Sequence, residues 1–239
     1  MKSNAMVLTA FKEPLVLEEI EIPALKEGEI LVKLEASGIC GSDVHMWQGE
    51  DPRTPLPIIL GHEGVGRIAA MNGVHTTVEG DSVREGDRIL WNRGVTCGHC
   101  YACKVLLMPW LCENRKVYGI NRSRAVAPYL NGCYSEYLIL SPETDLFLVD
   151  EKTDPAILVS ASCSGATAAN AFDTAKINPG DTVVIQGPGP LGVYGVAYAK
   201  KAGAKNIAVI GGSPKRLELC KTFGATHLIN RREQDEKER

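Results

Sequence analysis

The chain has 239 residues, with 26 Lys and Arg against 29 Asp and Glu and a formal net charge of −3. That length supports a substantial core without disulfide staples, and a mildly acidic balance with no basic cluster gives nucleic acid or an anionic membrane nothing to hold. No apolar run reaches membrane-spanning length and no cleavage site follows residues 1–5, so the expectation is a cytoplasmic protein with reduced thiols, acting on small molecules.

Residues 15–22 and 29–36 alternate apolar and polar around Pro23 and Gly28, which predicts antiparallel strands with one wet face. Cys40 follows where Gly38 and Gly41 let the backbone turn. Ser42 to Gln48 then reads as a short helix capped by Ser42 or Asp43, with His45 facing back towards Cys40. Pro52, Pro55 and Pro57 keep the next segment extended until Gly61-His62-Glu63 opens a strand, placing His62 at its start. Residues 73–85 are polar and predict a surface excursion, after which 86–91 resume β structure.

Cys40, His62 and Glu63 bring a soft thiolate, an imidazole and a carboxylate within 24 residues, the ligand types of a zinc site. A catalytic zinc keeps one position open and needs three protein ligands, and Cys163 is the candidate for the missing one. Taken singly, each would more often be a buried thiol or a satisfied core histidine. Cys97, Cys100 and Cys103, with Cys112 beyond, have the spacing of a closed four-thiolate structural zinc. His99 lies between these ligands and is expected to face solvent, while Cys133 and Cys220 lack partners at ligand spacing and read as small core residues.

Residues 132–140 and 145–149 predict further strands, and 154–174 a helix capped by Asp154 with Pro155 in its first position. The chain then changes character. Residues 182–185 form a short apolar run like a buried parallel strand. They lead into Gly187-Pro188-Gly189-Pro190-Leu191-Gly192, a helix to Ala202, a strand over 206–210, and a third strand around Leu228 and Ile229. A glycine turn between strand and helix is the dinucleotide fingerprint: Gly187 makes the tight turn, Gly189 permits close approach of the pyrophosphate, and Gly192 lets the helix pack. The acidic residue that would bind the adenosine ribose is absent after Ile210; the chain reads Gly211, Gly212, Ser213, Pro214, Lys215, Arg216. Ser213, Lys215, Arg216 and Arg231 offer donors and positive charge to a 2′-phosphate, which favours NADP over NAD. The alternative for Lys215 and Arg216 is the solvated opening of a helix.

Taken in this order, the two cysteine clusters, Gly61-His62-Glu63 and the glycine fingerprint resemble the zinc-dependent medium-chain alcohol dehydrogenases. The resemblance implies an α/β protein of two domains: a GroES-like, β-rich catalytic domain over 1–158 and the first half of a Rossmann parallel sheet over 159–239, with the active site between them. It implies two zinc ions per chain, one held by Cys40, His62 and Cys163 with Glu63 behind it, the other by Cys97, Cys100, Cys103 and Cys112. It also implies that Ser42 takes the proton of the substrate alcohol, His45 passes it to solvent, Asp43 orients His62, and Thr167 packs against the nicotinamide. The substrate would be an alcohol or the matching carbonyl, and the full-length parent a homo-oligomer. Trp91, Asn92 and Arg93 fall where the family lines its substrate pocket, pointing to a polyol or other polar alcohol; the alternative is that they are loop residues facing water.

Two departures bear on the reading. The gap from Cys103 to Cys112 is one residue longer than usual, which makes Cys112 the weakest ligand assignment. The family's fold also continues beyond residue 239, so a truncated chain is expected, with the strand at 182–185 left as an open edge. The rival reading is a non-catalytic zinc-binding fragment; a zinc-free quinone reductase of the same superfamily would lack both metal clusters.

Overall fold

The computed structural model describes residues 1–233, and the chain divides into two compact units, residues 1–162 and 163–239. Among the described residues no helix is long and apolar enough to cross a membrane.

The first unit opens with β1 (Lys2–Leu8), β2 (Val16–Glu21), β3 (Ile30–Ser37), α1 (Gly41–Gln48), β4 (Ile58–Ile59), β5 (Gly64–Met71) and β6 (Arg88–Trp91). It continues through β7 (Gly94–Val95), α2 (Tyr101–Lys104), β8 (Lys116–Val117), β9 (Tyr137–Leu140), β10 (Leu146–Leu148) and α3 (Pro155–Leu158). The two strands predicted first belong to different sheets. β2 pairs with β1 in the order β2-β1-β4, whereas β3 lies between β5 and β9 in the order β10-β6-β5-β3-β9. Nor does β3 have one wet face at its start: Ile30, Leu31 and Val32 are all buried, because alternate residues serve two cores. Ile30 and Val32 pack with Ile68, Ile89, Trp91 and Leu138, while Leu31 turns to Ala5, Val7, Ile59 and Ile139. Each fully buried large side chain of this kind contributes on the order of 1.5–3 kcal/mol. The Tyr118 hydroxyl is satisfied inside the first core, 2.8 Å from the Thr144 hydroxyl and accepting from the Ser141 N–H at 2.7 Å.

An ion-pair network ties this sheet to the chain that leaves it. The Arg67 guanidinium lies 2.6 Å from Glu35 and meets Glu151 with two bonds of 2.9 and 2.5 Å. Arg88, nearly buried, pairs with Glu35 at 2.7 Å and donates to the backbone carbonyls of Asp150, Glu151 and Thr153. Asp154 caps α3 as predicted, accepting from the Ala156 N–H at 2.9 Å with Pro155 at the first position. The single helix predicted over 154–174 is broken, however. α3 ends at Leu158 and a π-helical turn occupies Ala161–Gly165, where Ser160, Ser162 and Ser164 bring hydroxyls that compete for backbone groups.

In the second unit α4 (Ala166–Ala175) ends at Lys176 in the left-handed conformation. Strand β11 (Thr182–Gln186), α5 (Pro190–Lys201), β12 (Asn206–Gly211), α6 (Pro214–Phe223) and β13 (His227–Asn230) come next. The strands are parallel in the order β11-β12-β13, so β11 is an edge strand among the described residues. Val196, Ala199, Ile207, Val209, Leu217 and Cys220 form the core, with Cys220 in the role expected of it.

Candidate functional site

The first site is built around the start of α1. Neither Ser42 nor Asp43 is the cap. The helix begins at Gly41, Cys40 is the N-cap in extended backbone (φ −96°, ψ 156°), and Asp43 at the third helical position accepts the Cys40 N–H at 2.8 Å. This back-bond satisfies a donor that a helix start otherwise leaves open, and it fixes the buried Asp43 carboxylate. The other Asp43 oxygen lies 3.3 Å from the Gly61 N–H and 3.3 Å from His62 Nδ1. Gly61 takes a φ of 90°, a turn that glycine makes without cost, and this delivers His62 just ahead of β5. With Nδ1 engaged by a carboxylate, the ring presents Nε2 forward, as metal-ligating imidazoles do.

The Ser42 hydroxyl is 3.5 Å from His62 Nε2 and donates to Cys40 Sγ at 3.2 Å. Glu63 is buried beside Gly38, where any side chain would collide with its carboxylate. The ligand atoms of Cys40, His62 and Glu63 all lie within 4.8 Å of one another. Burial pushes the Cys40 thiol up, but hydrogen bonds from the Ser42 side chain and backbone and from His62 outweigh it and hold the thiol below its ordinary value. Burial, reinforced by the charges of Asp43 and Glu63, raises the neighbouring Cys133 thiol, which keeps it neutral and inert, the core role expected of it. One sulfur disposed to ionise, an imidazole nitrogen and a carboxylate converging on one point suit a divalent cation.

His45 does not face back towards Cys40. Its side chain is exposed and its Nδ1 lies 2.6 Å from Glu50, a carboxylate just past the end of the same helix. Cys163 is the first residue of the second unit, buried in the π-helical turn, and Thr167 is exposed in the first turn of α4. Trp91 is a core residue packed with Tyr118 and Cys133. Asn92 is committed at both ends of its amide, to Asp145 at 3.1 Å and to the Gly94 N–H at 3.0 Å, which makes it a loop brace. Arg93, between Asn92 and β7, is partly exposed, and its backbone carbonyl accepts from the Tyr118 N–H at 3.1 Å.

The second site is the cysteine lobe. The sulfurs of Cys97, Cys100, Cys103 and Cys112 lie within 4.8 Å of one another, Cys112 included despite the longer gap. Backbone N–H groups of Cys97 and Cys100 point at the sulfurs of Cys112 and Cys97, each at 3.4 Å. The backbone N–H groups of His99 and Cys100 hold the Cys97 thiol down at about 6, whereas burial and the adjoining Cys100 and Cys112 sulfurs push Cys103 up to about 12. Crowded sulfurs that favour ionisation of Cys97 and oppose that of Cys103, with N–H donors aimed among them, are a donor set that a cation completes. His99 is exposed, as expected, with Nδ1 2.6 Å from the Cys97 carbonyl.

The third site lies in the second unit. Gly187 has a φ of 105°, Gly189 caps α5 with open space around it, and a side chain at Gly192 would collide with the Gly187 carbonyl. Pro190 is the first residue of α5 and Leu191 is half exposed. A side chain at Gly211 would collide with Pro188, so the two strand ends approach closely. Beside them is a cleft of about 500 Å³ lined by Pro188, Gly212, Ser213, Arg216, Arg231 and Arg232. Lys215, expected to contribute, is exposed and does not line it. Arg232 does, and was legible only as the second of an arginine pair after a third strand. A side chain at Gly212 would come within 3.1 Å of Arg232 Nε and 3.2 Å of Arg231 Nε.

Comparison with known proteins places these features. The model of the alcohol dehydrogenase GroES-like domain matches residues 26–151, and that of the zinc-binding dehydrogenases matches residues 190–239. An alcohol dehydrogenase from Thermotoga maritima is 54% identical with a TM-score of 0.95, and the match covers 100% of this chain and 66% of that one. Sorbitol dehydrogenase from Bacillus subtilis is 36% identical over 223 residues, 92% of this chain and 59% of its own length. A structure from Sinorhizobium meliloti 1021, described as a zinc-binding dehydrogenase bound to NADP, is 27% identical with a TM-score of 0.83, over 98% of this chain and 64% of that one. The chain thus spans 59–66% of the length of these relatives. With one family model covering more than half the chain and the other running from the glycine turn to residue 239, this protein belongs to the zinc-dependent medium-chain alcohol dehydrogenases.

Proposed function

We propose that this chain carries the metal-binding and nucleotide-binding parts of an NADP-dependent zinc alcohol dehydrogenase acting on a polar alcohol, and that it works in the cytoplasm. The observation that carries the proposal is the convergence of Cys40, His62 and Glu63 with Asp43 bonded behind the imidazole. Cys40 and His62 would hold a catalytic zinc with Cys163, Glu63 standing behind it, and the four lobe cysteines would hold a second. Bound there, zinc would supply a Lewis acid and the nicotinamide a hydride acceptor.

The chain's own residues have separable tasks. Asp43 keeps the proton of His62 on Nδ1 and the Nε2 lone pair free to ligate. Ser42 Oγ, between Cys40 Sγ and His62 Nε2, takes the proton of the substrate hydroxyl, and His45, exposed and held by Glu50, is assigned to exchange protons with water farther along the same helix. In the second unit Gly187, Gly189 and Gly192 leave room for the pyrophosphate at the start of α5, with Pro190 and Leu191 shaping its first turn and Thr167 beside the nicotinamide. Ser213, Arg216, Arg231 and Arg232 receive the 2′-phosphate, and Gly211 keeps that end of β12 close to Pro188.

The test combines metal analysis with turnover. The reading expects two zinc ions per chain, one after Cys40→Ala, and NADP-dependent oxidation of polar alcohols that this substitution abolishes. Arg231→Ala should weaken NADPH by about tenfold while leaving NADH unchanged, the loss of roughly one charge-assisted contact. Two zinc ions with no turnover on any alcohol would favour a non-catalytic zinc-binding role; no zinc at residues 40 and 62 would end the catalytic reading and leave only the lobe as a zinc site.

A further inference from the structure

The first unit has a cleft of its own, walled mainly by the chain that runs from β8 to β9. It encloses about 360 Å³, the size of a small-molecule pocket, and Lys116, Asn121, Arg122, Ser123 and Asn131 supply its polar lining. No carboxylate lines it. Among the described residues neither Lys116 nor Arg122 forms an ion pair, so two positive charges stand there uncompensated.

The half-buried Arg122 is held in place. Its guanidinium carbon lies 5.4 Å from the centre of the buried Tyr118 ring, and it donates to the Ser141 hydroxyl at 3.2 Å. That single bond leaves most of a planar donor fork for a ligand. The wall beside it is equally fixed. Asn121 accepts from the Val117 N–H at 2.7 Å and donates to the Arg115 carbonyl at 3.0 Å, and the Ser123 hydroxyl donates to the Pro57 carbonyl at 2.9 Å. Asn131, only 2% exposed, is the deepest of the polar lining residues. Its Nδ2 donates to the carbonyls of Ser123 and Val126 at 3.3 and 3.4 Å, but its Oδ1 is buried without a hydrogen-bond partner. An orphaned buried acceptor is a cost that a ligand bringing a donor would relieve.

We propose that this cleft binds a small oxyanion that carries a hydroxyl, its acid oxygens on Arg122 and Lys116 and its O–H given to Asn131. A guanidinium fork matches the geometry of carboxylate and phosphate alike. A hydroxy acid and a hydrogen phosphate share the required chemistry, a negative oxygen pair beside an O–H donor. None of the lining residues belongs to either set of metal ligands or to the glycine turn, so the site adds to the centres described above.

The test is thermal unfolding of the zinc-loaded full chain at about pH 7 and constant ionic strength, followed by tryptophan fluorescence, with malate, inorganic phosphate or succinate added. All three tryptophans lie in the first unit, so anion bound at the arginines of the second unit does not enter the reading. Malate or phosphate at about ten times its Kd is expected to raise the unfolding temperature by about 3–6 °C. Succinate, which has the two carboxylates of malate without its hydroxyl, is expected to bind at least about tenfold more weakly. Arg122→Gln should remove the shift; if that variant unfolds without ligand, Lys116→Gln, changed at an exposed position, should weaken it about threefold or more. A shift with malate alone or with phosphate alone supports the site and identifies the source of its ligand. No shift with either anion overturns the proposal, as does an equal shift with succinate or an undiminished shift in the variants.

Discussion

Replacing Asp43 by Ala probes the link between helix start and metal centre most directly. Two backbone donors lose their acceptor, the Cys40 N–H at 2.8 Å and the Gly61 N–H at 3.3 Å, and the His62 ring loses the carboxylate that lies 3.3 Å from its Nδ1. The first acts as a helix cap, about 1 kcal/mol. The other two are buried, and an orphaned buried donor costs about 1–3 kcal/mol, nearer the low end for contacts this long. Against this stands the relief of no longer burying a carboxylate, which returns on the order of 1 kcal/mol or more. The expected net loss is about 2–3 kcal/mol for Asp43→Ala, and about half that for Asp43→Asn, which keeps one acceptor. Loosening of the His62 ring should also lower zinc affinity by roughly 10–100-fold. All three tryptophans, Trp47, Trp91 and Trp110, lie in the first unit, so their fluorescence in urea reports that unit alone. Unfolding measured without metal separates the fold from the ligand effect, and chelator competition measures the zinc. An Asp43→Ala protein within about 0.5 kcal/mol of wild type and equal in zinc affinity would refute the reasoning.

Arg88→Met should destabilise the first unit by about 2–3 kcal/mol, since it removes the Glu35 pair and three carbonyl contacts at a nearly buried position. Limited proteolysis should then cut within residues 150–153, and an unchanged digestion pattern would count against the clamp. Gly192→Ala places a methyl group against the Gly187 carbonyl and should cost the second unit about 1–3 kcal/mol and most of its NADPH binding, read by calorimetry. Cys112→Ser should lower zinc content from two equivalents to one; retention of both would remove Cys112 from the lobe's ligand set.

How much of the chain was legible depends on how locally each feature is encoded. Cys97, Cys100 and Cys103 declare a metal lobe because ligand spacing is a local property, and Gly187 to Gly192 declare a nucleotide turn because strand, turn and helix are contiguous. β1 gave no signal, since its buried face is Ser3, Ala5 and Val7, two of them too small or polar to register as apolar alternation. The separation of β2 from β3 depends on which distant strand each finds, and that information lies in β1 and β9. The helix predicted over 154–174 is rich in alanine, yet the poor helix formers Ser160, Ser162, Ser164 and Gly165 fall in and beside the π-helical turn that breaks it. His45 and Arg232 were misplaced or missed for the same reason: a long side chain is positioned by a neighbour such as Glu50 or Gly212, and not by its own place in the helix or strand.

The amino-terminal strand has a practical consequence. β1 is the middle strand of its sheet, pairing with β2 on one side and on the other with Ile58 and Ile59, three residues ahead of His62; Met6 also donates its N–H to Tyr134, next to Cys133. Trimming these first residues, or fusing a bulky tag tightly against them, would pull out the plank on which the imidazole rests. Expression vectors for this protein are therefore better extended through a flexible spacer than shortened, and a preparation that arrives poor in zinc should be checked for N-terminal clipping before its ligands are doubted.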